Sequence, residues 1–548
     1  MTGHCRPGER LRHDAGRQLL MPFLYRNLSL TLDEEEGLLP EKLCARLGVA
    51  PERLTWFSVV RKGVDARHKG RIKLVYSVSF RLDDEDWLKR DRLPDPDLEW
   101  LEKKGPPEFR RITSARKIMI VGMGPAGLFA ALRMTEYGLS PLLIERGKPI
   151  EERVKDVQAF WGLGRLDPES NVQFGEGGAG AFSDGKLTTR VRDVNIDYIL
   201  GTLVRFGAPA EILYLAKPHI GTDLLRRVVA NIRSHLESKG VDIRFRTRLL
   251  DISTVADRLK GVLLDGSEEN QCDFLVLAPG HSARDTYAML HDRSVRLEQK
   301  PFAVGLRIEH PQELINRIQY GISGNAKLPQ ADYALVWNNN RTGRSAYSFC
   351  MCPGGEVIAG SSEEGGVVTN GMSLHLRNSP FANSALVVNV KNSDFGSESP
   401  LAGVDFQRML ERKAFSIGGK DYFAPAQNLM AFLGESRGGV VRSSYRPGLR
   451  EADLSLMLPE FVNETLREGI RHFDRKMRGF VTREATLVGV ESRTSAPVRI
   501  VRGDDLESVS LKGLFPAGEG AGYAGGIMSA ALDGVRVADR IAQQLMTC

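Results

Sequence analysis

The sequence predicts an α/β fold: a Rossmann-type nucleotide-binding domain, interrupted by an inserted α+β domain and preceded by a small α+β domain. Three observations carry this. The glycine run "VGMGPAG" (Val121 to Gly127) follows an apolar strand and opens a helix of small and apolar residues. A second glycine-rich stretch, "GLFPAGEGAGYAGGIMSAALDG" (Gly513 to Gly534), follows another apolar strand close to the C-terminus. Between them, residues from about 300 to 490 carry mixed strands and loops without a second fingerprint.

Taken in order, residues 1–21 are polar and basic and read as a flexible extension. "YRNLSLTLD" alternates as a strand, "PEKLCARLGV" has helical spacing, and "LTWFSVVRKGVD" and "IKLVYSVSFRL" read as two further strands. This β-α-β-β order places a small α+β domain in 22–100, with its last strand ending near Leu82. The charged, proline-containing "DRLPDPDLEWLEKKGPPEFRR" reads as a connector. The first part of the nucleotide-binding domain then spans 113–300, the insert 301–490, and the second part 491–548.

The first fingerprint has its full context. Ile118 to Val121 form the strand, Gly122 allows the tight turn, and Gly124 lets backbone approach a pyrophosphate. Pro125 and Ala126 open the helix, and Gly127 lets helix and strand pack closely. The helix N-terminus offers free N–H groups and positive partial charge to phosphates. Glu145 ends the next strand, where a carboxylate accepts from adenosine ribose hydroxyls and repels a 2′-phosphate, which disfavours NADP.

The second glycine-rich stretch distinguishes FAD from NAD. FAD is long, and its flavin end must be held outside the first βαβ unit. After the turn at Gly518, Glu519 is placed to hold a ribityl hydroxyl. Gly525 and Gly526 precede a helix beginning near Ile527, whose N-terminal amides can face the pyrimidine edge of a flavin. A close helix–helix or helix–sheet contact would also select glycine and alanine here. Together with the first fingerprint, the flavin reading is preferred.

"VGMGPAGLFAAL", "LAPGHSARD" and "LFPAGEGAGYAGGIMSAALDG" resemble the glutathione-reductase-type FAD fold. "RKGVDARHKGRIKLVYSV", "FGEGGAGAFSDGKLTTR", "KPHIGTDLL" and "SFCMCPGGEVIAGSSEEGGVVTNGMS" extend the resemblance, from about residue 22 onward, to the large uncharacterised FAD-dependent dehydrogenase family of bacteria and plastids. The resemblance implies bound FAD and no particular substrate. It places Gly122, Gly124, Ala126 and Gly127 along the pyrophosphate and Glu145 and Arg146 at the adenosine. It sets the backbone around Arg248 and Leu249 at the adenine, and Ala278 and Gly280 at the second nucleotide turn. Glu519, Gly526, Ile527 and Met528 would hold ribityl and flavin.

Gln173 to Arg190 form a glycine-loaded loop expected beside the flavin, with Ser183 or Lys186 at phosphate or substrate. Cys350 and Cys352, two apart on an expected strand, should share one face. They read as small structural residues rather than as a redox pair or metal site. Lys217 and His219 precede a helix, where a proton-transfer role competes with a structural one. Arg61 to Lys73 is strongly basic but lacks an aromatic platform, so it reads as a solvated hairpin connection.

Composition bounds the rest. The 548 residues carry 75 basic against 69 acidic side chains, a net charge of +6, which is weak for nucleic-acid binding. Six scattered cysteines do not make a disulfide framework. The N-terminal stretch lacks a secretory core and no apolar run approaches a membrane span. The expectation is a cytoplasmic FAD-dependent oxidoreductase that moves hydride or electrons between a small organic substrate and flavin N5. With one GxGxxG only, the substrate is expected to reduce the flavin directly; the alternative is a nicotinamide or protein donor that docks without a second Rossmann domain. A flavin-dependent RNA-modifying enzyme and a non-catalytic FAD protein are the rival readings. The catalytic acid or base is left open, and no metal is expected.

Overall fold

The computed structural model describes residues 23–83, 95–100, 109–266, 269–435, 439–440 and 442–547. The expected 1–21 extension lies outside the described residues. The described chain divides into two units, one comprising 1–65 and 71–107 and the other 66–70 and 108–548.

The smaller unit is a four-stranded sheet in the order Leu54–Asp65, Lys73–Leu82, Phe23–Thr31, Leu98–Trp100. Lys73–Leu82 alternates as a half-buried strand should, burying Leu74, Tyr76, Val78, Phe80 and Leu82. The helix Leu39–Leu47 buries Leu39, Leu43, Cys44 and Leu47, and ends at Gly48 in the left-handed conformation. The connector prediction needs correction here. Leu98–Trp100 pairs antiparallel with Phe23–Tyr25 and completes the sheet. Its apolar ends are short, so the flanking charges and prolines masked the strand.

In the larger unit, five parallel strands run in the order Leu514–Pro516, Phe274–Leu277, Ile118–Val121, Leu142–Ile144, Asp242–Arg244. Ile118–Val121 is buried throughout, as in a parallel sheet covered on both faces. The helices Pro125–Glu136 and Ile527–Thr547 pack together against this sheet. The C-terminal helix turns Ala531, Val535, Ala538, Ile541 and Ala542 inward, a helical spacing of small and branched side chains. Burying each of the larger ones contributes roughly 1.5–3 kcal/mol.

Residues between the two halves of this sheet form a seven-stranded, mostly antiparallel sheet. Its order is Val336–Asn339, Arg344–Cys352, Phe381–Val390, Phe302–Pro311, Thr486–Glu491, Ala424–Asn428, Leu449–Glu451. The helices Ala402–Ile417 and Glu460–Lys476 cover it. Phe302–Pro311 is almost wholly buried although it carries Arg307, Glu309 and His310. Arg307 answers that cost with a 3.0 Å ion pair to Glu491 on the neighbouring strand.

Candidate functional site

The two glycine turns meet. A Cβ built on Gly518 would lie 2.8 Å from Ala126 Cβ, one on Gly520 would lie 2.5 Å from the Gly280 oxygen, and one on Gly534 would lie 2.0 Å from the Ala126 oxygen. Gly122, at φ +97, would meet the Ala278 oxygen at 2.3 Å, and Gly127 the Gly122 oxygen at 1.9 Å. These glycines let the backbone pack tightly against neighbouring protein, against backbone everywhere except at Gly518, which meets the Ala126 Cβ. Gly280, Gly525 and Gly526 have no atom within 4 Å of such a Cβ, and Gly124 has only Gly178 Cα, at 3.9 Å. These four border a cavity of about 400 Å³ that runs between the parallel sheet and the inserted sheet.

The cavity gathers Gly122, Gly124, Pro125, Ala126, Glu145, Arg146, Arg248, Leu249, Ala278, Gly280, Gly518, Glu519, Gly526 and Ile527. Two expected residues do not line it. Gly127 is spent on packing the first helix against its strand, and the Met528 side chain is buried in the core beneath the C-terminal helix. The Gln173–Arg190 loop borders the cavity along most of its length. It includes Gly175, Gly177 and Gly178, all at positive φ.

Glu145 is buried and already accepts three backbone N–H groups, from Met123 at 2.9 Å, Gly147 at 3.0 Å and Gly175 at 2.9 Å. It therefore ties the glycine turn to the Gln173–Arg190 loop as well as facing the cavity. Arg146 is pinned by Glu169 at 2.7 Å and Asp285 at 2.9 Å, and its guanidinium lies 4.1 Å from the Phe174 ring centroid. At the opposite end, burial lifts the Glu519 carboxyl to about 7, against the pull of Lys300.

The insert supplies the far wall: Phe349, Cys350, Cys352 and Glu491 from its seven-stranded sheet, Asn370 and Gly371 from the separate two-stranded pairing of Glu356–Ala359 with Thr369–Met372, and Arg493 and Thr494 just past Glu491. The cysteine expectation is corrected here. The strand is irregular between Phe349 and Cys352, with Cys350 at φ +43, so simple alternation fails. Cys350 is exposed into the cavity, while Cys352 is buried and directs its thiol to the Cys350 oxygen at 3.3 Å. Burial nonetheless pushes the Cys350 thiol up to about 12, Lys186 and Arg307 opposing. Both thiols are thus protonated near neutrality. Lys217 and His219 do not border the cavity. Lys217 pairs with Asp332 at 2.7 Å, and burial with the nearby Arg377 pushes His219 down to about 4.

Residues 301–494 match a family described as FAD-dependent protein, C-terminal domain-like, and residues 24–81 match a domain of unknown function. A Clostridium beijerinckii protein, described as uncharacterized, is 46% identical over 530 residues, covering 96% of this chain and 99% of that one. The chain belongs to this family of FAD-dependent proteins. The FAD-dependent monooxygenase nodY2 of Hypoxylon pulicicidum is 25% identical over 210 residues, 36% of this chain and 43% of that one. Among solved structures, the flavin-dependent brominase Bmp2 is 12% identical, with a TM-score of 0.36 over 79% of this chain and 80% of that one.

FAD is the cofactor of the family, and the residues of this chain fit it. The four open glycines form a cradle that any side chain would fill. The N–H groups of Gly526 and Ile527 have no acceptor among the described residues, at the start of a 21-residue helix. Among the described residues, no group of three or more His, Cys, Asp or Glu side chains could hold a metal, and no helix is long and apolar enough to cross a membrane.

Three parts of this FAD-dependent protein escape sequence reasoning. Arg153 is fully buried, and its guanidinium donates to the carbonyls of Asn171, Val172, Gly175, Glu176 and Gly178 at 2.6–3.1 Å. His281 borders the cavity, contacts Ser282 Oγ at 2.9 Å and is pushed down to about 3 by burial and by Arg493. Arg493 itself gives four of its five N–H groups to Glu411, Ser282 and Ser362. Only "GHSARD", directly after a strand, offers a local signal, and it points to the turn rather than to the histidine.

Proposed function

We propose that this FAD-dependent protein is an oxidoreductase acting on a small organic substrate. The residues at the parallel-sheet end of the cavity would hold FAD, and the 301–490 segment would serve as the substrate domain. The observation that carries this is the continuity of one cavity. Its walls run from the Gly122–Ala126 turn, past Glu519 and the Ile527 helix start, to Cys350, Asn370 and Glu491 of the insert. A purely structural flavin would need no chamber walled by a second domain.

Bound flavin would supply hydride or electron transfer. The chain's own residues do the rest. Gly124 and Gly178 admit the pyrophosphate beside a helix N-terminus. Glu145 fixes the turn and faces the ribose. Glu519 takes a ribityl hydroxyl. The free amides of Gly526 and Ile527 offer positive partial charge where a flavin ring would accumulate negative charge. Strands of the inserted sheet exclude water from the far side. The glutathione-reductase-like subtype of the fold belongs to this reading, as does direct reduction by substrate.

The test is anaerobic rapid mixing of the purified yellow protein with NADH, NADPH and pooled organic metabolites, followed by reoxidation with organic acceptors or oxygen. Bleaching of the flavin band by one reductant and its return with an organic acceptor supports the proposal. Return with oxygen alone, accompanied by an oxygenated product, would favour monooxygenase chemistry. A flavin that no reductant bleaches would count against an oxidoreductase.

A further inference from the structure

We propose that Lys186 anchors the carboxylate of a small organic acid at the inserted-sheet end of the cavity. This rests on reading that cavity as a joint flavin and substrate site, and it names the substrate class.

The position of Lys186 follows from the course of its loop. At Gly178 the loop touches the phosphate turn, where an added Cβ would lie 3.0 Å from Gly124 Cα. At Gly180 it passes the C-terminal helix start, where an added Cβ would lie 3.2 Å from Ile527 Cγ1. Eight residues past Gly178, Lys186 bridges through its backbone to His219 and borders the cavity. Its ammonium lies close enough to oppose the upward push of burial on the thiols of Cys350 and Cys352. The lysine therefore stands at the inserted sheet, past the phosphate turn and the helix start.

The charge balance there is one negative charge short of neutral. Asp184 borders the same space and feels the Lys186 charge, but its ion pair is with Arg377 at 2.6 Å and it accepts from the Ser373 hydroxyl. Glu491 is held by Arg307 at 3.0 Å. Arg493 is paired with Glu411 and has four of its five N–H groups taken. Arg146 and Arg248 pair with Glu169. Among the described residues, Lys186 is the one cavity-lining cation without an ion pair or side-chain hydrogen bond. An unpaired ammonium in a partly desolvated space favours an anion beside it. A monoanion restores neutrality; a dianion would also face Asp184 and Glu491. Asn370 lies in the same wall. Its side-chain oxygen takes the Gly371 N–H at 2.7 Å, and its NH₂ group has no partner among the described residues. Phe349 and the two protonated thiols give the ligand an apolar seat.

The test titrates the FAD-loaded full chain, as wild type, Lys186→Met and Lys186→Arg, with benzoate and with its neutral isostere benzamide. Flavin absorbance and melting temperature are both followed. Saturable benzoate binding is expected in the wild type, weakened about tenfold in Lys186→Met, the size of one charge-assisted contact. Lys186→Arg should retain most of it, and benzamide should bind weakly to all three. The anchor is overturned if benzoate gives no saturable response, if benzamide binds as well, or if Lys186→Met binds benzoate unchanged. It is also overturned if Lys186→Met purifies without its full complement of FAD, which would make the lysine a pyrophosphate contact. A lysine-dependent rise in melting temperature with an unperturbed flavin band would keep the anchor and remove the joint-site reading.

Discussion

At the scale of single residues, the glycines of this FAD-dependent protein divide by what a side chain would meet. Those at 122, 127, 518, 520 and 534 would strike protein, whereas those at 124, 280, 525 and 526 face the cradle. Gly124→Val should therefore leave the fold intact and the protein colourless, because Gly124 has an ordinary φ of −73° and nothing within 3.9 Å of its Cβ. Matching circular dichroism with under a tenth of the wild-type flavin content checks this; a yellow variant at full occupancy refutes it. Glu519 gives a second residue-scale prediction. Its folded carboxyl, raised to about 7 by burial, favours the protonated form. Its contribution to stability is complete below the ordinary value of 4.5 and is lost as pH rises through about 7. The flavin-free wild type should thus lose melting temperature between pH 5 and 8 more steeply than Glu519→Gln. Parallel profiles would show that burial does not control this carboxyl.

At the scale of elements, legibility follows locality. The two turns are readable because strand, glycine spacing, helix and acid all lie within a few dozen residues of each other. The Gln173–Arg190 loop is readable as glycine-rich, but what orders it is not. Arg153 comes from the preceding helix, Ile150–Leu163, and takes five loop carbonyls; Gly175 is bare because a Cβ would sit 2.4 Å from Arg153 Cδ. No periodicity announces an arginine used this way. Cys350 is misread for the same kind of reason, since a bulge cancels the alternation that the two-residue spacing implies. Arg153→Met should cost about 3 kcal/mol or more, since several buried carbonyls lose charge-assisted partners. It should also weaken FAD retention, because the loop that carries Gly178 to the phosphate turn loses its tie. Urea unfolding of the flavin-free protein, with flavin retention on gel filtration, measures both; unchanged retention would separate the loop from the cofactor.

At the scale of the whole larger unit, the sequence signals a Rossmann domain and an insert but not how they are joined, because the joining contacts are far apart in the chain. Glu411, on the helix Ala402–Ile417, accepts from Arg284 at 2.8 and 3.0 Å and from Arg493 at 2.8 and 2.9 Å. Arg284 opens the helix after the Phe274–Leu277 strand, and Arg493 follows the last buried strand of the inserted sheet. One buried carboxylate therefore ties the parallel sheet to the insert across the cavity rim. Burial pushes its carboxyl up, but the two guanidiniums outweigh this and hold it well below the usual range. Glu411→Ala leaves two buried guanidiniums without their shared partner and should cost about 3–5 kcal/mol at neutral pH. The sign with pH is fixed by the depressed value. Stability from Glu411 is present above the unfolded carboxyl value of 4.5 and is lost as pH falls below it. The gap in urea midpoint between wild type and Glu411→Ala should accordingly be widest near pH 7 and narrow on acidification below about pH 4.5. A gap that stays constant across that range would mean that the two guanidiniums do not depress this carboxyl, and that shape rather than charge joins the insert to the nucleotide-binding sheet.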